Sequence, residues 1–391
     1  MDDRSPRGVE TRALPTPGTL PDWLTKSGLL LGSTMAALLL GEVVVRIVAP
    51  QQLIILRPDI WMPVDSVGWT FRPLVRSTIN TGERTVHVVT DSQGFRVSAG
   101  GRPSARTRVL LIGDSFMAAL QVEYEQSVAG LLEKGLQARL GEPVAVFDAG
   151  QAGWDPPQYL IQARSLLHRA SFGLVIVAIY VGNDIVTARP DRIAPRQAEE
   201  HYALRFPRRL SWSELTRAVL RPINDWLKTR SELFVLLKNH LQTLGMRLGL
   251  TAEYFPIVFR KSEATSLRWS VTADICRDIA ALAAQRGIPT LFVLIPTPFQ
   301  ADPAVFQDFL RGFQIDSTEV DLDQPTRFMD TQLRQRRLSV VDVLPGFRIA
   351  RDRGARLYGN VDHHLSPDGH RVLDELLEPV AERMLRRNTA R

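Results

Sequence analysis

Four short polar motifs each carry a residue type suited to acyl chemistry. Gly113-Asp114-Ser115 follows the apolar run RVLLI. A serine there sits at the end of a strand, with its hydroxyl toward a crevice and turn N–H groups near a developing oxyanion. DAGQAGWDP follows VAVF, and its Gly150 and Gly153 allow close backbone approach and an N–H donor. Gly182-Asn183-Asp184 follows LVIVAIYV, where the Asn183 amide is a further donor and Asp184 is expected to cap the next segment. Near the C-terminus, NVDHHLSPDGH sets Asp362 two residues before His364. In an extended segment those side chains share a side, so the carboxylate can fix the imidazole tautomer and stabilise its charged form. His363 faces the other way and remains a second candidate base. Taken singly, the Gly/Asp/Ser and glycine motifs are also what ordinary turns contain.

These motifs need strand ends to hold them, and the chain supplies them. RVLLI, VAVFD, LVIVAIY, TLFVLIP and LSVVDVLP read as strands. Between them, Ser127–Leu140, Pro157–Ala170, Leu267–Gln285, Pro303–Phe313, Pro325–Arg336 and Pro367–Arg386 read as helices. Continuous apolar strands alternating with helices predict a parallel sheet covered on both faces, with ligands outside the carboxyl ends of the strands. In the closing helix, Ser366 reads as the N-cap with Pro367 at the first position, and His370 as structural. Residues 49–105 read as an irregular connector packing on the core domain of 106–391.

A stretch at about 188–265 interrupts the pattern. From Arg189 to Lys261 fourteen Lys/Arg stand against seven Asp/Glu, which accounts for the formal charge of +6 on the whole chain. The remainder is near neutral, which argues against a nucleic-acid footprint. Helical patterns at Leu210–Leu227 and Ser231–Leu248, with Trp212, Trp226 and Phe234 among arginines, make this a helical insertion. It reads as a cap with a solvated basic face, or as a surface for anionic lipid or acidic glycan. The one cysteine, Cys276, excludes an intramolecular disulfide and Cys-based zinc sites and reads as a buried thiol.

Residues 1–26 are a polar, proline-bearing tail. SGLLLGSTMAALLLG is uncharged, and with GEVVVRIV it reaches bilayer length at 27–48. Glu42 and Arg46 are spaced to pair on one helix face. A cleaved signal peptide would need a small-x-small site after Gly41, and a buried soluble helix would need a polar face. A signal anchor fits best, and Arg4, Arg7, Arg12 and Lys26 favour the N-terminus inside. The large domain is then expected outside the cytoplasm, on the inner membrane.

In their order and placement, the four motifs are similar to those of the SGNH (GDSL-like) hydrolases, whose Ser, Gly, Asn and His correspond to Ser115, Gly153, Asn183 and His364. The resemblance runs from about Gly68 to the C-terminus, skipping the basic insertion. DSVGWTFRP, TDSQGFR, IPTPFQ and GEVVVRIVAP look like a membrane-anchored bacterial branch. One departure is that much of the family spaces acid and histidine as D-x-x-H, whereas residue 361 is Val and the acid stands only two before His364. The resemblance implies a flavodoxin-like α/β/α sandwich and a serine esterase. Ser115, His364 and Asp362 would form its triad, the N–H groups of Ser115 and Gly153 with the Asn183 amide its oxyanion hole, with no metal or organic cofactor required. The implied substrate is an oxygen ester of a small molecule or an envelope glycan. Two other readings stand beside it: an O-acyltransferase on the same triad, and a non-catalytic, membrane-tethered glycan-binding or assembly protein. A nucleotide site is disfavoured, because no G-x-G-x-x-G or P-loop spacing occurs.

Overall fold

The computed structural model describes residues 22–49, 59–81, 83–187, 223, 226–227, 230–247, 257–261, 268–313, 315–360 and 363–389. After α1 (Asp22–Val48) come two antiparallel pairs, β1 (Trp61–Val64) with β2 (Gly68–Phe71), and β3 (Arg76–Asn80) with β4 (Thr85–Val89). Then follow β5 (Thr107–Ile112), α2 (Ser115–Ala118), α3 (Val128–Leu140), β6 (Val144–Asp148), α4 (Pro156–Arg169), β7 (Leu174–Tyr180) and α5 (Asp184–Thr187). The rest is α6 (Glu232–Arg247), α7 (Arg268–Ala284), β8 (Thr290–Ile295), α8 (Pro298–Ala301), α9 (Pro303–Phe313), α10 (Gln324–Gln335), β9 (Ser339–Asp342), α11 (Leu344–Asp352) and α12 (Pro367–Thr389).

Five strands form one parallel sheet in the order β6-β5-β7-β8-β9. Numbered along the chain this is 2-1-3-4-5, the flavodoxin-like order. Successive strand residues point to opposite faces, so Val109 and Leu111 enter one core and Leu110 and Ile112 the other. The first core holds Leu132 and Leu136 of α3 with Leu373 and Leu377 of α12. The second holds Tyr159 of α4, Ile279 of α7 and Leu333 of α10. Burial on both faces is why β5, β6, β7 and β8 are apolar without alternation, whereas the edge strand β9 is only partly buried.

The helix boundaries have local causes. Ser127 Oγ accepts from Gly130 N at 3.2 Å to start α3, and Gly141, with φ 72°, ends it. Ser366 Oγ accepts from Gly369 N at 3.1 Å ahead of Pro367. The run LSVVDVLP is strand only to Asp342; with Pro345 near its N-terminus, Leu344 opens a helix that the apolar pattern had absorbed into the strand. Burial pushes the Cys276 thiol well up.

α1 has 27 residues, about 40 Å at 1.5 Å per residue, and is long and apolar enough to cross a membrane. Glu42 and Arg46 pair at 2.8 Å, as their spacing predicts. Glu42 does more: it accepts from Ser231 Oγ at 2.7 Å, Glu232 N at 2.9 Å and Leu233 N at 3.1 Å. A carboxylate from one helix thus caps the N-terminus of another, α6, whose first-turn N–H groups have no partner inside their own helix. Arg46 also donates to Arg230 O at 2.7 Å. In the basic insertion, Trp212 and most of Leu210–Leu227 lie outside the described residues, and Trp226 is exposed beneath the Arg230 guanidinium.

His370 is buried in α12, and its Nδ1 accepts from Val128 N at 3.3 Å, joining α12 to α3. Burial lowers its pKa from 6.5 to about 3, with the charges of Arg96 and His364 adding to the effect. The neutral ring is the folded form, so its contribution to stability is complete above about pH 6.5 and is lost as pH falls toward 3. His370→Asn keeps an acceptor without the titration. Its thermal midpoint is expected to fall less than that of the parent between pH 7 and pH 4, as followed by circular dichroism.

Candidate active site

The strand order decides which turns meet. β5 lies between β6 and β7, so the turns after these three strands are neighbours at the carboxyl edge. They carry Ser115, Gly153 and Asn183 respectively. Ser115 is the first residue of α2, and Asp114 caps that helix by accepting from Phe116 N at 2.9 Å. The turn after β6 packs directly on α2. Gln151 N donates to Gly113 O at 3.1 Å, and a Cβ on Gly150 would come within 2.5 Å of Ala118 N. Gly153 has φ 76°, in the left-handed region open to glycine. Its loop is tied to β2: Trp69 Nε1 donates to Ala152 O at 2.8 Å, and Trp154 Nε1 donates to Trp69 O at 3.0 Å.

His364 arrives from the far end of the chain. Its Nε2 is 2.8 Å from Ser115 Oγ, across 249 residues of sequence. Tyr358 and Leu365 form an antiparallel bridge, and Gly359 N donates to His364 O at 2.8 Å, closing the loop that carries the ring. Tyr358 Oη donates to Pro296 O at 2.6 Å and fastens that loop to the end of β8. The imidazole lies beside Phe116, at 4.8 Å between centroids, and Phe116 stacks on Tyr180 at 4.2 Å. These rings form one wall of the site.

Asp362 and His364 share a side only where the residue between them is extended. His363 instead has φ 58°, left-handed, and its side chain is exposed, while His364 turns inward. Asp362 itself lies outside the described residues. Asp184 does not reach forward to cap. Its carboxylate accepts from Tyr180 N at 2.9 Å and Tyr159 Oη at 3.1 Å, tying the end of β7 to α4.

The buried carboxyls around Ser115 are shifted together. Burial raises the pKa of Asp114, and the Phe116 N–H and His364 partly offset it. Burial also pushes Asp184 well up, with the charge of Asp114 adding to it. Beside His364 a cleft of about 310 Å³ opens, lined by Thr81, Glu83, Arg84, Gln121, Arg356 and Asp368 among others. Gln121 Oε1 is buried and accepts no hydrogen bond among the described residues. It suits a hydroxyl donor from a bound molecule.

No family model matches the chain, and no curated protein matches it in sequence. Solved structures do. A lipolytic G-D-S-L family protein from Veillonella parvula is 10% identical, with 70% of this chain and 97% of that one covered and a TM-score of 0.39. An α/β hydrolase from the metagenome of Lake Arreo, Spain, is 14% identical over 72% and 98%, with a TM-score of 0.38. An acetyl xylan esterase is 10% identical over 70% and 98%, also at 0.38.

Arg96, whose guanidinium reaches the carbonyls at the end of α2, carries no signal in motif or spacing. Phe116 and Tyr180 are hidden among the apolar neighbours of the strand and helix patterns. Gly150→Ala is expected to destabilise the protein by about 1–3 kcal/mol, the usual cost of overpacking. Chemical denaturation followed by fluorescence checks this; an unchanged midpoint would show that α2 moves aside freely.

Proposed function

We propose that this protein is a membrane-anchored serine esterase of SGNH type. The 2.8 Å approach of His364 Nε2 to Ser115 Oγ at the carboxyl edge of the sheet carries the reading. The imidazole takes the Ser115 proton as Oγ attacks the ester carbonyl carbon. The carbonyl oxygen becomes an oxyanion, received by the N–H groups of Ser115 and Gly153 and the side-chain amide of Asn183. Collapse expels the alcohol, which takes the proton from His364 and leaves an acyl group on Ser115. Water then attacks that acyl carbon, gives its proton to His364, and the carboxylic acid departs as Ser115 is reprotonated. Asp362 orients the imidazole and stabilises its charged form.

The polar lining of the cleft beside His364 supports a hydroxyl-rich alcohol portion, such as an acylated envelope glycan. α1 serves as a single-pass anchor in the inner membrane, with the basic residues before it on the cytoplasmic side and the catalytic domain outside. The same cleft favours a second reading, in which a sugar hydroxyl replaces water and the protein transfers the acyl group. Product analysis with and without a sugar acceptor separates the two: free acid alone for hydrolysis, acylated sugar for transfer.

Ser115→Ala is expected to abolish hydrolysis of p-nitrophenyl acetate by the full chain in detergent micelles. Asn183→Ala is expected to lower kcat by about a hundred- to thousand-fold, the usual loss for one oxyanion donor. Full activity in Ser115→Ala would remove the proposal.

A further inference from the structure

Arg96 is buried, with none of its surface exposed to solvent. It sits at the end of the turn Thr90–Arg96, built by its own residues. Asp91 Oδ1 accepts from Gln93 N at 2.8 Å and Phe95 N at 3.0 Å, and Gly94 has φ 84° in a place where a Cβ would meet Phe71 O at 2.7 Å. Arg96 then pairs through its backbone with Thr90 and with Asp148, the last residue of the edge strand β6. From that edge its side chain runs inward.

The guanidinium ends at the turn that follows Ser115. Nη1 donates to Ala118 O at 2.9 Å and to Ala119 O, and Nη2 donates to Val122 O and to His87 O at 3.4 Å. α2 is a single turn of four residues, too short to hold itself, and its last carbonyls have no helical partner. Ala119, which ends it, takes a left-handed φ of 50° that costs energy for a residue with a Cβ. Asp148, at the end of β6, feels the guanidinium and accepts from Gly150 N at 3.0 Å, while burial pushes its carboxyl up to about 7, so the countercharge is only partial near neutral pH. An apolar side chain would fill this space without the desolvation penalty of a buried charge. What arginine adds is several donors in a rigid planar fork.

We propose that Arg96 is a positioning residue, whose guanidinium fixes the turn Ala118–Val122 and thereby the direction in which Ser115 faces His364. The clamp also sets Gln121, which lies within that turn and lines the cleft. A role in catalysis rests on the esterase reading; the clamp on the turn does not.

The test uses the full chain in detergent micelles, with Arg96→Met and Arg96→Lys. Hydrogen exchange by mass spectrometry reports the peptide at 113–123 against those of α3 and β8. Reaction of Ser115 with a fluorophosphonate reports its alignment. In Arg96→Met, exchange is expected to rise in 113–123 alone, and phosphonylation and kcat to fall by about a hundred-fold, as a displacement of about 1 Å produces. KM for a small ester stays close to the parent value, and Arg96→Lys recovers part of the rate. Parent-like exchange in both variants overturns the proposal, as does a rate loss that merely follows global unfolding. A loosened turn with an unchanged phosphonylation rate overturns the positioning role. If the parent protein is not phosphonylated at all, the esterase reading fails, and the exchange data alone decide whether Arg96 holds the turn.

Discussion

A single hydrogen bond between residues 249 positions apart, Ser115 and His364, is what the rest of the structure has to maintain. No local element joins them. The serine is fixed because β5 is an inner strand, and the histidine because its loop is pinned from two sides. Tyr358 ties the loop to Pro296 at the end of β8, and α12, which starts just after it, packs along α3. A distance held this way depends on the cooperativity of the whole sheet.

Around that contact the protein accepts several arrangements that cost stability. Asp114, Asp184 and Arg96 are buried ionisable groups, and Ala119 and His363 occupy left-handed backbone. Asp184 and Arg96 have hydrogen-bond partners on other elements, so their cost is offset only while those elements stay in register, whereas Asp114 bonds within the turn it caps. Clustering of burial, charge and strain at one edge of an otherwise apolar sheet is the pattern expected where side chains are held for chemistry rather than for packing.

The sheet was legible because four of its five strands, β5 to β8, are buried on both faces and therefore read as unbroken apolar runs. The helix ends at Ser127, Gly141 and Ser366-Pro367 were legible because caps are local chemistry. α11 was not, since Val343 and Leu344 continue an apolar pattern that hides the local stop, where Asp342 accepts from Leu344 N ahead of Pro345. His363 was misread as extended because a histidine in left-handed backbone has no signature in spacing. Arg96 and Glu42 were the larger omissions in role. An arginine after Gly94 reads as solvated, and a glutamate in an apolar helix reads as paired with Arg46. That one reaches buried carbonyls, and that the other caps α6, follows from elements distant in sequence.

The most direct measurement is peptide mapping of the fluorophosphonate adduct, with its rate, in the parent protein and in a folded His364→Ala variant. The account requires the adduct on Ser115 in the parent and a rate lowered by about a thousand-fold or more without the imidazole, in line with removal of a general base from a triad. An adduct on another residue, or equal rates in the two proteins, would contradict it.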